Sequence, residues 1–162
     1  MNYSTVPEIV LGETPDIDVP ELAVSYTRSG KRLFGKITSS KDAADFIRET
    51  FGEGQVELQE QFIVLYLNQA NEIIGYYKHS KGAINATVAD IRIVLATALK
   101  ALAVSMVIAH NHPSGDPSPS AADVNLTRTL RDIGEQLSLP LLDHVILAKH
   151  GHVSLRERGL MG

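Results

Sequence analysis

The chain has 162 residues, 44% of them apolar, 21% charged and 6% aromatic, with no cysteine and a formal net charge of -4. That profile fits one soluble domain with a single core, excludes disulfides and thiolate metal sites, and supplies no overall basic field for gripping nucleic-acid phosphates. No apolar run approaches the roughly 18 residues needed to span a bilayer, and the start resembles neither a signal peptide nor a transit sequence, so a cytoplasmic protein is expected.

Residues 1–36 read as an acidic, flexible arm. Glu8, Glu13, Asp16, Asp18 and Glu21 stand among three prolines with no Lys or Arg before Arg28, and such a stretch buries little. "LAVSYTR" and "KRLFGKI", joined at Ser29-Gly30, would form an outlying hairpin. The folded domain is expected over 37–162. "ITSSKDAADFIRETFGEG" reads as a helix, with Ser39 and Asp42 at capping-box spacing and Gly52 and Gly54 ending it. "QFIVLYL" (61–67) and "EIIGYYK" (72–78) read as antiparallel strands about the turn "NQAN", and "GAINATV" as a shorter edge strand.

A second helix is expected from about Val88 to Ala103, capped by Thr87 and Asp90. Ile91, Val94, Leu95, Ala98, Leu99 and Leu102 would form its wide apolar face. "VSMVIAH" (104–110) is a short apolar strand. After a Pro/Ser-rich loop, a long amphipathic helix is expected with Ser118 as cap and Pro119 at its first position, presenting Leu126, Leu130, Ile133 and Leu137 inward. "PLLDHVILA" and "GHVSLRE" would close the chain as a hairpin through Lys149-His150-Gly151. This order gives an α/β class: a mixed β-sheet sandwiched by helices in two or three layers.

The stretch "AHNHPSGDPSPSAAD" (109–123) carries the chemistry. In an extended chain residues i and i+2 share a face, so His110 and His112 project together at a strand end while Asn111 points away. Pro113 biases His112 toward an extended conformation. Asp123 falls on the inward face of the following helix, in phase with Leu126 and Leu130, and Ser120 lies one turn earlier. An inward carboxylate is costly to bury unless paired or bound to a cation. Two imidazoles and one carboxylate, without sulfur, suit zinc with a fourth position left open, the pattern of a catalytic site.

His110-x-His112, Ser120 and Asp123 together resemble the JAMM signature of JAB/MPN-type zinc metalloproteases. "AHNHPSGDPSPSAAD", "LLDHVIL" and "GAINATV" are similar, more closely, to the RadC-like branch, from about Ile37 to the C-terminus. The resemblance implies a JAB/MPN, cytidine-deaminase-like fold. It also implies one zinc per chain on His110, His112 and Asp123, and a peptide or isopeptide substrate. It further implies a Glu just before the first core strand as general base. Glu60 in "LQEQFIVL" stands there, with Glu57 three residues away as the other candidate. Ser120 would stabilise the oxyanion. His144 in "LLDHVIL" reads as a satisfied core histidine or a group behind the site; His79, His150 and His152 read as loop or surface residues.

The runner-up is a DNA-repair or DNA-transaction accessory or scaffold that keeps a zinc site. The acidic balance counts against it, as does the lack, in these residues, of the helix-hairpin-helix region that precedes the domain in full-length RadC proteins. A structural zinc domain is a third reading. Nucleobase deamination requires Pro-Cys-x-x-Cys and is excluded; the zincin motif His-Glu-x-x-His is absent. The sequence is silent on oligomeric state.

Overall fold

"QFIVLYL" and "SMVIAHN" offer few polar side chains to solvent on either face, and strands of that kind need both faces of their sheet covered. In the computed structural model, which describes residues 35–51, 54–81 and 89–162, they form β1 (Gln61–Leu67) and β3 (Ser105–Asn111), buried at every residue. With β2 (Ile73–Lys81), β4 (Leu141–Leu147) and β5 (His152–Ser154) they make one sheet in the order β2-β1-β3-β4-β5. All pairs are antiparallel except β3–β4. The sheet is therefore mixed, as expected, and the single parallel pair is connected by helix α3 (Ala121–Gln136).

Helix α1 (Ser40–Thr50) covers one face, packing Ala43, Ala44, Phe46 and Ile47 against Ile63, Leu65, Val107, Ala109 and Val145. Its Ser39–Asp42 capping box forms as the spacing predicts. Helices α2 (Ile91–Lys100) and α3 cover the other face, over Phe62, Val64, Tyr66, Met106 and Ile108. The result is three layers. Arg48 ties α1 to the β4–β5 turn by donating to the carbonyls of Ala148, at 2.8 Å, and Gly151.

Both helices on the site face start later than expected. α2 begins at Ile91 because Asp90 is itself the cap, its carboxylate accepting from Arg92 N. α3 is capped by Ser120, not Ser118: Ser120 and Asp123 exchange side-chain and backbone hydrogen bonds in a full capping box, whereas Ser118 N donates to Asp116 Oδ1 in the loop before it. Each helix ends when one residue turns left-handed, Leu102 at φ 52° and Ser138 at φ 54°. In each the following N–H reaches back to the carbonyl five residues earlier, Ala103 to Ala98 and Leu139 to Gly134, the Schellman pattern. Leu102 and Leu137, expected inward, are exposed at these helix ends, and Leu99, inside α2, faces outward as well. The inward stripe of α3 runs through Thr127, Leu130 and Gly134.

Expectations for the arm and hairpin before residue 35, for "GAINATV", for Thr87 as a cap and for the side chain of His79 lie outside the described residues. Among the described residues no helix is long and apolar enough to cross a membrane.

Gly134 is required by close approach: a Cβ there would stand 2.5 Å from the Leu139 carbonyl oxygen. Gly134→Ala gains up to about 1 kcal/mol of helix propensity but forces backbone apart, and overpacking of this kind costs about 1–3 kcal/mol. A net loss of stability is expected, read as a lower urea midpoint; an unchanged or higher midpoint would contradict the close packing.

Candidate metal centre

The site forms where β3 runs out. His110 pairs with Phe62 of β1 and Ile146 of β4, which places its side chain on the α2/α3 face at 2% exposure. His112 continues the strand by one further bond, its N–H donating to Leu147 O at 2.8 Å. The loop then turns through Gly115 at φ 86°, bringing the Asp116 carbonyl to 2.8 Å from His112 Nδ1. A carbonyl has no proton to give, so Nδ1–H is the donor and the lone pair of neutral His112 lies on Nε2.

Asp123 arrives from the first turn of α3. Its Oδ2 accepts from Ser120 N at 2.7 Å and Ser120 Oγ at 2.6 Å, and its Oδ1 lies 3.3 Å from His110 Nε2. His112 Nε2 is 3.9 Å from Oδ2, and the two histidine Nε2 atoms are 2.9 Å apart. One ligand atom from each of His110, His112 and Asp123 falls within 4.8 Å of the others, so the group can hold a metal ion. Among the described residues no other His, Cys, Asp or Glu cluster does so.

The chemistry of the donor set fits a divalent metal. Burial pushes the His110 pKa down to about 4, with the Asp123 charge opposing and His112 reinforcing the shift. His110 is therefore a neutral base beside a carboxylate. Two imidazole nitrogens and an oxygen turned toward one another repel until a cation joins them, and nitrogen with carboxylate oxygen suits zinc among first-row metals.

Behind the ligands, His144 is fully buried. Its Nε2 lies 2.8 Å from His110 Nδ1 and its Nδ1 lies 2.6 Å from Thr127 Oγ1. The two sequence readings of His144 merge: it is a satisfied core histidine and it stands behind the site. His150 is exposed, while His152 is partly buried on β5 with Nε2 3.2 Å from Ser40 Oγ, so it is less superficial than expected.

The two candidate bases differ in setting. Glu57, in the short 3-10 turn Gln55–Glu57, pairs with Lys149 Nζ at 2.9 Å. Glu60 is partly buried and stands one residue before β1. Asn111, between the histidines and pointing the other way, clamps this segment. Its Oδ1 accepts from Gln61 N at 2.8 Å, and its Nδ2 donates to Gln59 O at 2.9 Å and Val56 O at 2.8 Å. The clamp therefore grips the backbone on both sides of Glu60. Sequence reasoning missed this function of Asn111, although a polar residue of opposite parity to two buried-strand histidines is itself a signal. It also missed Thr127, which lies one helical turn beyond Asp123.

A mixed sheet between helices on both faces, with His-x-His at a strand end and an Asp in the first turn of the next helix, defines an α/β domain of the JAMM type. The chain belongs to the RadC-like JAB domain family, which it matches over residues 37–160. It is 38% identical over 137 residues to a UPF0758 protein of Enterococcus faecalis, covering 85% of this chain and 58% of that protein. To a UPF0758 protein of Shouchella clausii it is 37% identical over 155 residues, 95% of this chain and 66% of the relative. For a Clostridium botulinum relative the figures are 38% over 126 residues, 78% and 54%. The chain thus spans between about half and two thirds of the length of these curated relatives.

His110 and His144 are both held neutral by burial, the latter well below the ordinary histidine pKa. The unfolded chain protonates them near the usual value of about 6.5, so below that pH it binds more protons than the folded state and stability declines. For metal-stripped protein the urea midpoint should be lower at pH 5 than at pH 7. Equal midpoints would mean that the two rings are not buried as neutral bases.

Proposed function

We propose that this domain is a metal-dependent hydrolase of peptide or isopeptide bonds, with one zinc per chain held by His110, His112 and Asp123. The observation that carries the reading is the convergence of two imidazole nitrogens and a carboxylate oxygen at the end of a core strand. Membership of the RadC-like JAB family supports it.

Zinc at such a site acts as a Lewis acid and brings the pKa of a water toward neutrality. The chain's own residues do the rest. His112 is aimed by the Asp116 carbonyl, and Asp123 is held by the amide and hydroxyl of Ser120. Glu60, whose flanking backbone groups are held by Asn111, is the general base: it takes a proton from the attacking water and returns it to the leaving amine. Glu57, engaged with Lys149, is the weaker candidate. Ser120 fixes the carboxylate in the resting site, and its hydroxyl turns to the developing oxyanion during attack. The substrate is a peptide or isopeptide carbonyl whose flanking sequence is unassigned.

Elemental analysis of wild type and His112→Ala, purified in parallel without added metal, should find about one zinc per wild-type chain and its loss in the variant. Glu60→Gln should keep the zinc and slow cleavage of a fluorogenic peptide-amide library by about 10²–10⁴-fold, the range for a lost general base. Wild type unable to take up zinc would remove the hydrolase reading. Full cleavage by zinc-loaded Glu60→Gln would remove Glu60 from it.

A further inference from the structure

Histidine binds a metal through a nitrogen that carries no proton, so a ligand imidazole must be held in one of its two neutral tautomers. For His112 the Asp116 carbonyl does this. For His110 the group against Nδ1 is another imidazole, which can donate or accept and so decides nothing by itself.

The decision is made one residue further back. Thr127 Oγ1 lies 2.6 Å from the carbonyl oxygen of Asp123, one turn earlier on α3, and 2.6 Å from His144 Nδ1. A hydroxyl has one proton and a carbonyl has none, so the proton of Thr127 lies on the bond to Asp123 O. The hydroxyl oxygen must then accept from His144 Nδ1–H. Neutral His144 is left with its lone pair on Nε2, which accepts from His110 Nδ1–H. The lone pair of His110 is thereby on Nε2, the atom 2.9 Å from His112 Nε2 and 3.3 Å from Asp123 Oδ1. Reversing every proton would leave two bare acceptors, Thr127 Oγ1 and Asp123 O, 2.6 Å apart. Thr127 and His144 are both 0% exposed, so solvent offers neither an alternative partner.

We propose that Thr127 and His144 are positioning residues that fix the tautomer of His110, holding its proton on Nδ1 and turning the lone pair of Nε2 toward His112 and Asp123. The value of that tautomer to the protein rests on the metal-site reading above; the tautomer itself does not. The relay also gives a reason for a threonine and a histidine at two fully buried positions. One helix, α3, supplies both a candidate ligand, Asp123, and the group that sets the polarity of the opposite ligand, His110.

The test uses the full chain with ¹⁵N-labelled histidine. Long-range ¹H–¹⁵N spectra of the metal-free protein distinguish the two tautomers, and chelator competition gives the zinc dissociation constant. Wild type and Thr127→Ser, which keeps the hydroxyl, should show His110 as the Nδ1–H tautomer. Thr127→Val, close to isosteric but without the hydroxyl, should release His110 to the other tautomer or a mixture. Its zinc binding should weaken by about 10–100-fold, the usual range for a group that orients a metal ligand. His144→Met, which fills the space without a ring nitrogen, should release His110 in the same way and serves if Thr127→Val does not fold. An Nε2–H tautomer in wild type, or a wild-type tautomer and zinc affinity in the folded variants, would overturn the proposal. A wild type with the expected tautomer that takes up no zinc would sink the hydrolase reading while leaving the relay standing.

Discussion

The structure around the site depends on one constraint: an imidazole placed inside a closed core must have both ring nitrogens answered. His110 is at a position of β3 whose neighbours in register are Phe62 and Ile146, with solvent almost wholly excluded. Leaving a polar ring atom bare there would cost about 1–3 kcal/mol. Nδ1 is answered by His144 from β4, which in turn needs Thr127 from α3. Among the described residues Nε2 is answered by His112 and Asp123, both of which are themselves acceptors. Three elements are drawn together by the needs of one side chain, and the unresolved need is what makes the cluster suited to a cation.

The start of α3 serves two purposes with the same atoms. Asp123 is the third residue of the helix, where a carboxylate closes a capping box and meets the positive end of the helix dipole. Its Oδ2 takes both Ser120 bonds, which leaves Oδ1 turned to His110. Local helix chemistry thus sets the rotamer of a group whose function is tertiary. The same economy appears in β3, where parity alone sends His110 and His112 to one face and Asn111 to the other. There Asn111 takes up three backbone groups of the segment entering β1.

Much of this was legible in the sequence because it follows from period. The alternation of β3 places the two histidines together, and the helical phase of α3 places Asp123 inward. The capping box of α1 and the strand β1 are local patterns with local causes. What was not legible has causes distant in the chain. Ser118-Pro119 is an acceptable helix start, and only the reciprocal bonds of Ser120 with Asp123 moved the cap two residues on. Leu102 and Leu137 looked inward by phase, but left-handed turns at Leu102 and Ser138 end both helices there, and Leu99, still helical, falls outside the buried stripe of Val94, Leu95 and Ala98. Thr127 looks like an ordinary polar helix residue until His144, seventeen positions later, arrives beside it.

The acceptor that orients His112 is the main-chain oxygen of residue 116, not a side chain. Any amino acid that permits the same backbone path can supply that oxygen, so point replacement at 116 is nearly invisible to the ring it aims. Inserting or deleting a residue between Gly115 and Ser118 would instead move the oxygen itself. Apart from Gly115, whose positive φ favours glycine, the loop between the two ligand-bearing elements is constrained more in length than in composition, and variation among descendants of this chain should show substitutions there more readily than gaps.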